Sequence, residues 1–411
     1  MQEAANYQRL ALTGVHPSSR LFPYAKCATN ACISFCNLCE EGGDPKHSDE
    51  AITFGYEALR IFPEQAEEIP IAFAALGWSY RLRYSLSGDD KDFKHAIGFL
   101  EQASDASKNR PIPWAKHGMP DLYRNFTCAY GQKFRRDRER ADLDRAIELG
   151  QICVDSSPLI SHKAAYLSYL GELLLYRYEL SGNQEDLIKS TAAAETALEQ
   201  SFNTGYQRPA ILVRYARTLR RLFDAMAEPK HIERAITYVT EALEKYSNVS
   251  FAHKTPYLSE LAAAYQARFK KFGARRDLLT ALDTYEIAST NLSAAVKDRI
   301  EAAVAGGMLA YTTGCVWAAA KGYCVAVALL PRLAWVGMNT RDRQKKVTFA
   351  SGALACNAAA ASIEINNLQH AIELLEHGRS MIWRSTVTSK NNDTSRRKGP
   401  SPFLVGKPYR R

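Results

Sequence analysis

The 411 residues contain no Walker, Rossmann, metalloprotease or hydrolase motif, so the spacings that nucleotide, dinucleotide and zinc-protease chemistry depend on are missing. The opening Met1-Gln2-Glu3-Ala4-Ala5-Asn6 lacks the basic and then apolar run of a secretory leader. A cytoplasmic or nuclear setting is the expectation. Disulfides are then not expected among the nine cysteines, and the sequons at Asn125, Asn248, Asn291 and Asn392 carry no weight. Strongly apolar runs are also scarce. Ala302 to Ala320 is 19 residues without a charge, about the length of a membrane span. Ala and Gly dominate it and Leu, Ile and Phe are few, which favours a closely packed helix in a soluble stack, with no membrane partner.

Acidic residues are short in one place above all. Residues 385–411 carry Lys390, Arg396, Arg397, Lys398, Lys407, Arg410 and Arg411 against Asp393 alone, and so hold most of the formal net charge of +9. The remaining body is close to neutral, a weak basis for binding nucleic acid. The tail, with Ser, Thr, Asn, Gly and Pro among its charges and no helical period, reads as a basic disordered end.

What the sequence does have is self-similarity. A signature of the form Asp-Leu-x-x-Ala-Ile recurs at Asp92, Asp142 and Asp277, with variants at His47, Asp186 and His231, at spacings of 45, 50, 44, 45 and 46 residues. Sixteen residues before each anchor stands Ala31, Leu76, Phe126, Leu170, Tyr215 or Leu261. The next position is small: Cys32, Gly77, Thr127, Gly171, Ala216, Ala262. Further columns at steps of three and four, Phe35, Tyr80, Tyr130, Leu174, Leu219, Tyr265 and then Cys39, Tyr84, Phe134, Tyr178, Phe223, Phe269, complete one face of a first helix. After the anchor, Ala51, Ala96, Ala146, Ser190, Ala235, Ala281 and, seven residues on, Ala58, Ala103, Cys153, Ala197, Ala242, Ala288 mark one small-residue face of a second helix. Turns such as Ser87-Gly88-Asp89-Asp90 and Ser181-Gly182-Asn183 separate the helices, and Pro63, Pro111, Pro113, Pro158, Pro209 and Pro256 are expected to punctuate the links between units.

These columns resemble tetratricopeptide repeats, best seen in Leu167, Leu170, Gly171, Leu174, Ser190 and Ala197, although the first helix is about two turns longer than in that family. The resemblance implies an all-α, right-handed superhelical solenoid of antiparallel helix pairs. A narrower resemblance is to the long-unit arrays that precede a CHAT peptidase domain in fungal proteins. Leu329-Leu330-Pro331-Arg332-Leu333-Ala334-Trp335, Arg341-Asp342-Arg343-Gln344 and Glu373 to Trp383 carry it. The organisation expected is an N-terminal extension (1–24), six helix-pair units (25–300), further helical hairpins (301–384) and the basic tail (385–411). That family's catalytic domain has no counterpart in these residues, so no residue inherits its roles and no enzyme activity is expected.

Candidate chemistry is sparse. Cys27, Cys32, Cys36 and Cys39 have a spacing that metal sites use, but Cys32 and Cys39 fall in the small and aromatic columns, which favours core thiols over a metal. Cys315, Cys324, Cys356 and His370 share no spacing that singles them out as a nucleophile and base, and His370 and His377, seven apart, are expected at the surface. Arg83, Lys133, Arg177 and Arg268 share one phase and are expected to pack their stems while their heads stay in water. Arg214, Arg217, Arg220 and Arg221 are different, being concentrated in one unit. By analogy with tetratricopeptide domains, Arg217, Arg220 and Arg221 face the concave groove, where with Arg214, Arg81, Arg124, Gln132 and Tyr176 they offer a site for an acidic segment of a protein partner. The expected function is thus a non-catalytic interaction scaffold that needs no cofactor, metal or small-molecule substrate. Two alternatives stand beside it: a shortened relative of a CHAT protease acting as regulator or decoy, and polyanion binding through the arginines and tail.

Overall fold

The computed structural model describes residues 21–42, 44–63, 66–108, 114–158, 160–201, 207–245, 251–334 and 353–380. The basic tail, most of the N-terminal extension and Arg341-Asp342-Arg343-Gln344 lie outside them. The described residues form sixteen helices and no strand. Contacts divide the chain into two compact units, residues 1–298 and 299–411.

The first unit is six antiparallel helix pairs: α1 (Leu21–Gly42) with α2 (Pro45–Ile61), α3 (Ile69–Ser87) with α4 (Asp90–Lys108), α5 (Trp114–Asp137) with α6 (Arg140–Ser156), α7 (Ile160–Ser181) with α8 (Gln184–Gln200), α9 (Arg208–Met226) with α10 (Pro229–Glu244), and α11 (Phe251–Phe272) with α12 (Arg275–Thr290). Each second helix packs on the first helix of the next pair, so this is the all-α solenoid the repeat implies.

The columns explain the packing. Ala51, Ala96, Ala146, Ser190, Ala235 and Ala281 are all fully buried, one per pair. A Cβ on Gly77 would lie 2.6 Å from the Leu100 side chain and 3.2 Å from the Ala96 carbonyl, and a Cβ on Gly171 would lie 3.2 Å from the Ser190 carbonyl. Small residues in phase therefore let each pair close to backbone contact, while the large columns fill the space on either side. Cys32, Cys36 and Cys39 sit in this core with Phe35, Leu38 and Ala51. The Cys36 and Cys32 sulfurs lie 3.1 and 3.4 Å from Ser79 Oγ.

The first helix ends the same way in five pairs. Its C-terminal residue turns into left-handed backbone and donates its N–H to the Tyr/Phe column: Gly88 to Tyr84, Arg138 to Phe134, Gly182 to Tyr178, Ala227 to Phe223 and Gly273 to Phe269. Arg138 and Ala227 adopt φ of 63° and 59° without the freedom of glycine. Asp44 and Asn183 then cap the second helix, accepting from the N–H two residues on. Proline plays two roles. Pro63 and Pro158 lie between helices, whereas Pro209 opens α9, where no N–H partner is lost, and Pro256 lies inside α11 beyond its first turn, where one i→i−4 bond is forgone.

The anchor aspartates settle what the phased basic residues do, and it is not what their stems suggested. Arg83 forks onto Asp92 (3.0 and 2.7 Å), Arg177 onto Asp186 (2.9 and 2.6 Å) and Arg268 onto Asp277 (2.8 and 2.6 Å), and Lys133 reaches both oxygens of Asp142 (3.0 and 2.8 Å). The aspartates are buried while the basic side chains stay partly exposed, so the heads turn from open water onto a buried carboxylate at the solvent edge. In the two pairs whose anchor is His47 or His231, the basic position holds Leu38 or Leu222. Both charges are replaced together.

The second unit contains most of α13 (Val296–Thr312), α14 (Val316–Ala334), α15 (353–364) and α16 (368–380). Gly314, at φ 77°, lies in the turn between α13 and α14. A Cβ on Gly322 would stand 3.1 Å from Gly307 Cα, and one on Gly307 would stand 2.9 Å from the Tyr323 ring. The uncharged Ala/Gly stretch is thus spent on close helix contact, and no helix among the described residues is long and apolar enough to cross a membrane.

Candidate functional site

The first helices of successive pairs pack on one another, α1 on α3, α3 on α5, α7 on α9 and α9 on α11, and they carry the arginines picked out by sequence. The guanidiniums do meet carboxylates, but those of this chain. Glu172 on α7 accepts from Arg214 Nε (3.0 Å), Arg217 Nη1 (3.2 Å) and the Tyr176 hydroxyl (3.2 Å). Glu260 on α11 accepts from Arg220 Nε (2.7 Å) and Arg217 Nε (3.2 Å). Arg217 therefore ties α9 to both neighbours. Arg221 pairs with Glu179 (2.6 Å).

A second cluster joins α1, α3 and α5. Arg81, buried, donates to Asn125 Oδ1 (3.0 Å) and pairs with Glu40, which also accepts from Trp78 Nε1 (3.0 Å). Arg124 lies over the Trp78 ring (5.3 Å) and 3.8 Å from Glu40, and its Nε has no hydrogen-bond partner. Gln132 joins neither cluster, and its buried Oε1 is also unpaired.

Between these clusters lies a cavity of about 620 Å³ lined by Arg124, Arg135, Arg214 and Arg217, by Glu40 and Glu172, and by Tyr166, Tyr169 and Tyr257 among others. Four guanidiniums thus face two carboxylates. Burial pushes the Glu172 carboxyl up, but Arg214, Arg217 and Arg135 more than offset it and hold it at about 2. Glu40 is likewise lowered, against its burial, by Arg81 and Arg124. Burial raises the Tyr169 hydroxyl, so it stays protonated beside Arg135 and Arg214. Arg135, missed in the sequence reading, is the cation with room to spare: its Nη2 reaches Tyr169 Oη at 3.5 Å and it makes no ion pair among the described residues. The arrangement can grip an anion and holds no group of three metal-ligating side chains among the described residues.

The acids had a legible signal. Glu172 occupies the column that holds Arg217 two helices on, and the two pair; Glu260 occupies the column that holds Arg214 but pairs instead with Arg217 and Arg220, so columns flag the acids without fixing every partner.

No family model matches the chain, and no curated protein matches it. Among solved structures, the chain has matches at TM-scores below 0.5. BtubC (BKLC) from P. vanneervenii is 17% identical over 67% of this chain and 98% of its own, at a TM-score of 0.37. The Rap protein complexed with Competence and Sporulation Factor is 13% identical over 88% of this chain and 98% of its own, at 0.44. The apo form of RapI is 12% identical over 89% of this chain and 98% of its own, at 0.45.

Proposed function

We propose that the chain is a non-catalytic interaction scaffold that seats an acidic segment of a protein partner in the cavity lined by Arg124, Arg135, Arg214 and Arg217. The observation that supports it most is the excess of guanidinium over carboxylate in the lining, with Arg135 making no ion pair among the described residues. Internal glutamates hold the arginine forks in place, which lowers the entropy lost on binding, and Arg81, Gln132, Tyr176, Arg220 and Arg221 shape the surrounding face. Neighbouring tyrosines add apolar walls with polar tips, a lining suited to a peptide.

Titration calorimetry with a decapeptide of alternating Glu and Leu, and with its Gln counterpart, tests this. Binding of the acidic peptide alone, weakened on the order of tenfold by Arg135→Ala, is expected for a charge-assisted contact. Equal binding of the two peptides, or an Arg135→Ala variant that binds as well as the parent, would remove the reading. The resemblance of residues 329–335 and 373–383 to the segment before a CHAT peptidase supports a second reading, a regulator or decoy that engages what such a protease engages. It predicts that the chain competes with a full-length member for a shared partner.

A further inference from the structure

Residues 299–411 hold a constellation that no sequence spacing pointed to. Cys324 lies in the middle of α14, and His370 and Glu373 lie three residues apart in the first turns of α16, on one face. The Cys324 sulfur is 3.2 Å from His370 Nε2, and His370 Nδ1 is 3.2 Å from Glu373 Oε2. His370 is therefore not the plain surface residue its position implied. Gln369 Nε2 donates to the other Glu373 oxygen at 3.3 Å, and the backbone N–H of His370 donates to Asn367 Oδ1 at 3.3 Å, so both orienting residues are themselves held.

The carboxylate accepts from Nδ1 and so leaves Nε2 as the acceptor facing the thiol. Thiol, imidazole and carboxylate in line are the parts by which a base lifts a proton from a nucleophile. Cys324 is half-buried and the His370 side chain is 41% exposed, so a small molecule can reach the sulfur along the ring. Among the described cysteines, Cys324 alone has an imidazole nitrogen in contact.

We infer that Cys324 is a base-assisted thiol and a modification site for soft carbon electrophiles of the α,β-unsaturated carbonyl class. The sulfur adds to the β-carbon while its proton passes to His370 Nε2. The alkene pair moves toward the carbonyl to give an enolate, and the imidazolium, held by Glu373, returns the proton to the α-carbon. One S–C bond forms, one C=C becomes single, and no oxidant or reductant takes part. Acyl transfer is the poorer match, because the backbone N–H of a mid-helix residue is engaged in the helix ladder and offers no donor to a tetrahedral oxyanion. Burial raises the Cys324 thiol, so without the base it would be the slower sulfur; with the base it keeps the nucleophilicity of a less acidic thiol.

N-ethylmaleimide, a member of this class, gives the test, with the sites separated by peptide mass spectrometry. Cys356, exposed, is the internal reference. The expected result is Cys324 labelled on the order of tenfold faster than Cys356 at neutral pH. His370→Ala should reverse the order of the two sites, and Glu373→Gln should slow Cys324 less, both with Cys356 unchanged. Labelling of Cys324 slower than Cys356 in the parent chain, or a His370→Ala variant with an unaltered Cys324 rate, overturns the inference. Should His370→Ala unfold, His370→Gln, which fills the site without a base, decides: an unaltered Cys324 rate refutes base assistance.

Discussion

The alternation of Arg/Asp with Leu/His across the pairs can be rebuilt at will, and the α7/α8 pair is the place to do it. Asp186 has a side-chain exposure of 4%, Arg177 one of 25%, and two short bonds join them. Arg177→Leu leaves a buried carboxylate with no cation, a change that costs about 3 kcal/mol. Asp186→His alone leaves a guanidinium that keeps Asp144 at 3.4 Å and turns to water, for a loss of about 1 to 2 kcal/mol. The double variant reproduces the Leu222/His231 combination, in which both residues are 8% exposed, and should return to within about 1 kcal/mol of the parent. The coupling is then about 3 kcal/mol. Urea unfolding followed by circular dichroism, with an unchanged slope, measures it. A double variant as unstable as the two singles summed would show that the cation is not what makes the buried aspartate tolerable.

Three further outcomes follow from the packing and the charges. Glu172, held at about 2 in the folded chain against an ordinary value of 4.5, stabilises the fold above the ordinary carboxylate range. That contribution, about 3 kcal/mol, should be lost as pH falls from about 5 toward 2, and Glu172→Gln should flatten the slope in urea titrations at a series of pH values. Ala227→Gly and Arg138→Gly, which relieve positive φ of 59° and 63°, should each raise the thermal midpoint by an amount equivalent to about 0.5 to 1 kcal/mol. Gly77→Ala should cost about 1 to 3 kcal/mol through the 2.6 Å contact with Leu100, whereas Gly98→Ala, with nothing within 4 Å, should gain up to about 1 kcal/mol, and equal effects at the two sites would refute the close-approach account.

The helix pairs were legible because close approach imposes the same demand at every repeat. Ala51, Ala96, Ala146, Ser190, Ala235 and Ala281 must all be small, and a demand repeated six times shows in a single sequence. The heads of long charged side chains obey no such rule. The phase of Arg177 places its stem, but whether its guanidinium turns to solvent or to Asp186 depends on the partner nine residues on, which the Leu222/His231 substitution reveals only when both columns are read together. Cys324 and His370 have no repeat at all behind them. Their 46-residue separation is bridged by tertiary packing alone.

The same distinction governs the cavity. An arginine-rich face reads as an anion site, yet most of its guanidiniums are committed to Glu40, Glu172, Glu179 and Glu260, so the number of arginines says little about what is left for a ligand. An incoming carboxylate that took Arg214 or Arg217 from Glu172 would strand a buried charge, and that cost cancels the new contact. Only Arg135, which makes no ion pair among the described residues, contributes without such a loss; Arg124 lies 3.8 Å from both Glu40 and Asp121. The glutamates are built-in competitors for any acidic ligand: under the proposed function they tie the face together and would confine binding to the margin by which guanidinium exceeds carboxylate.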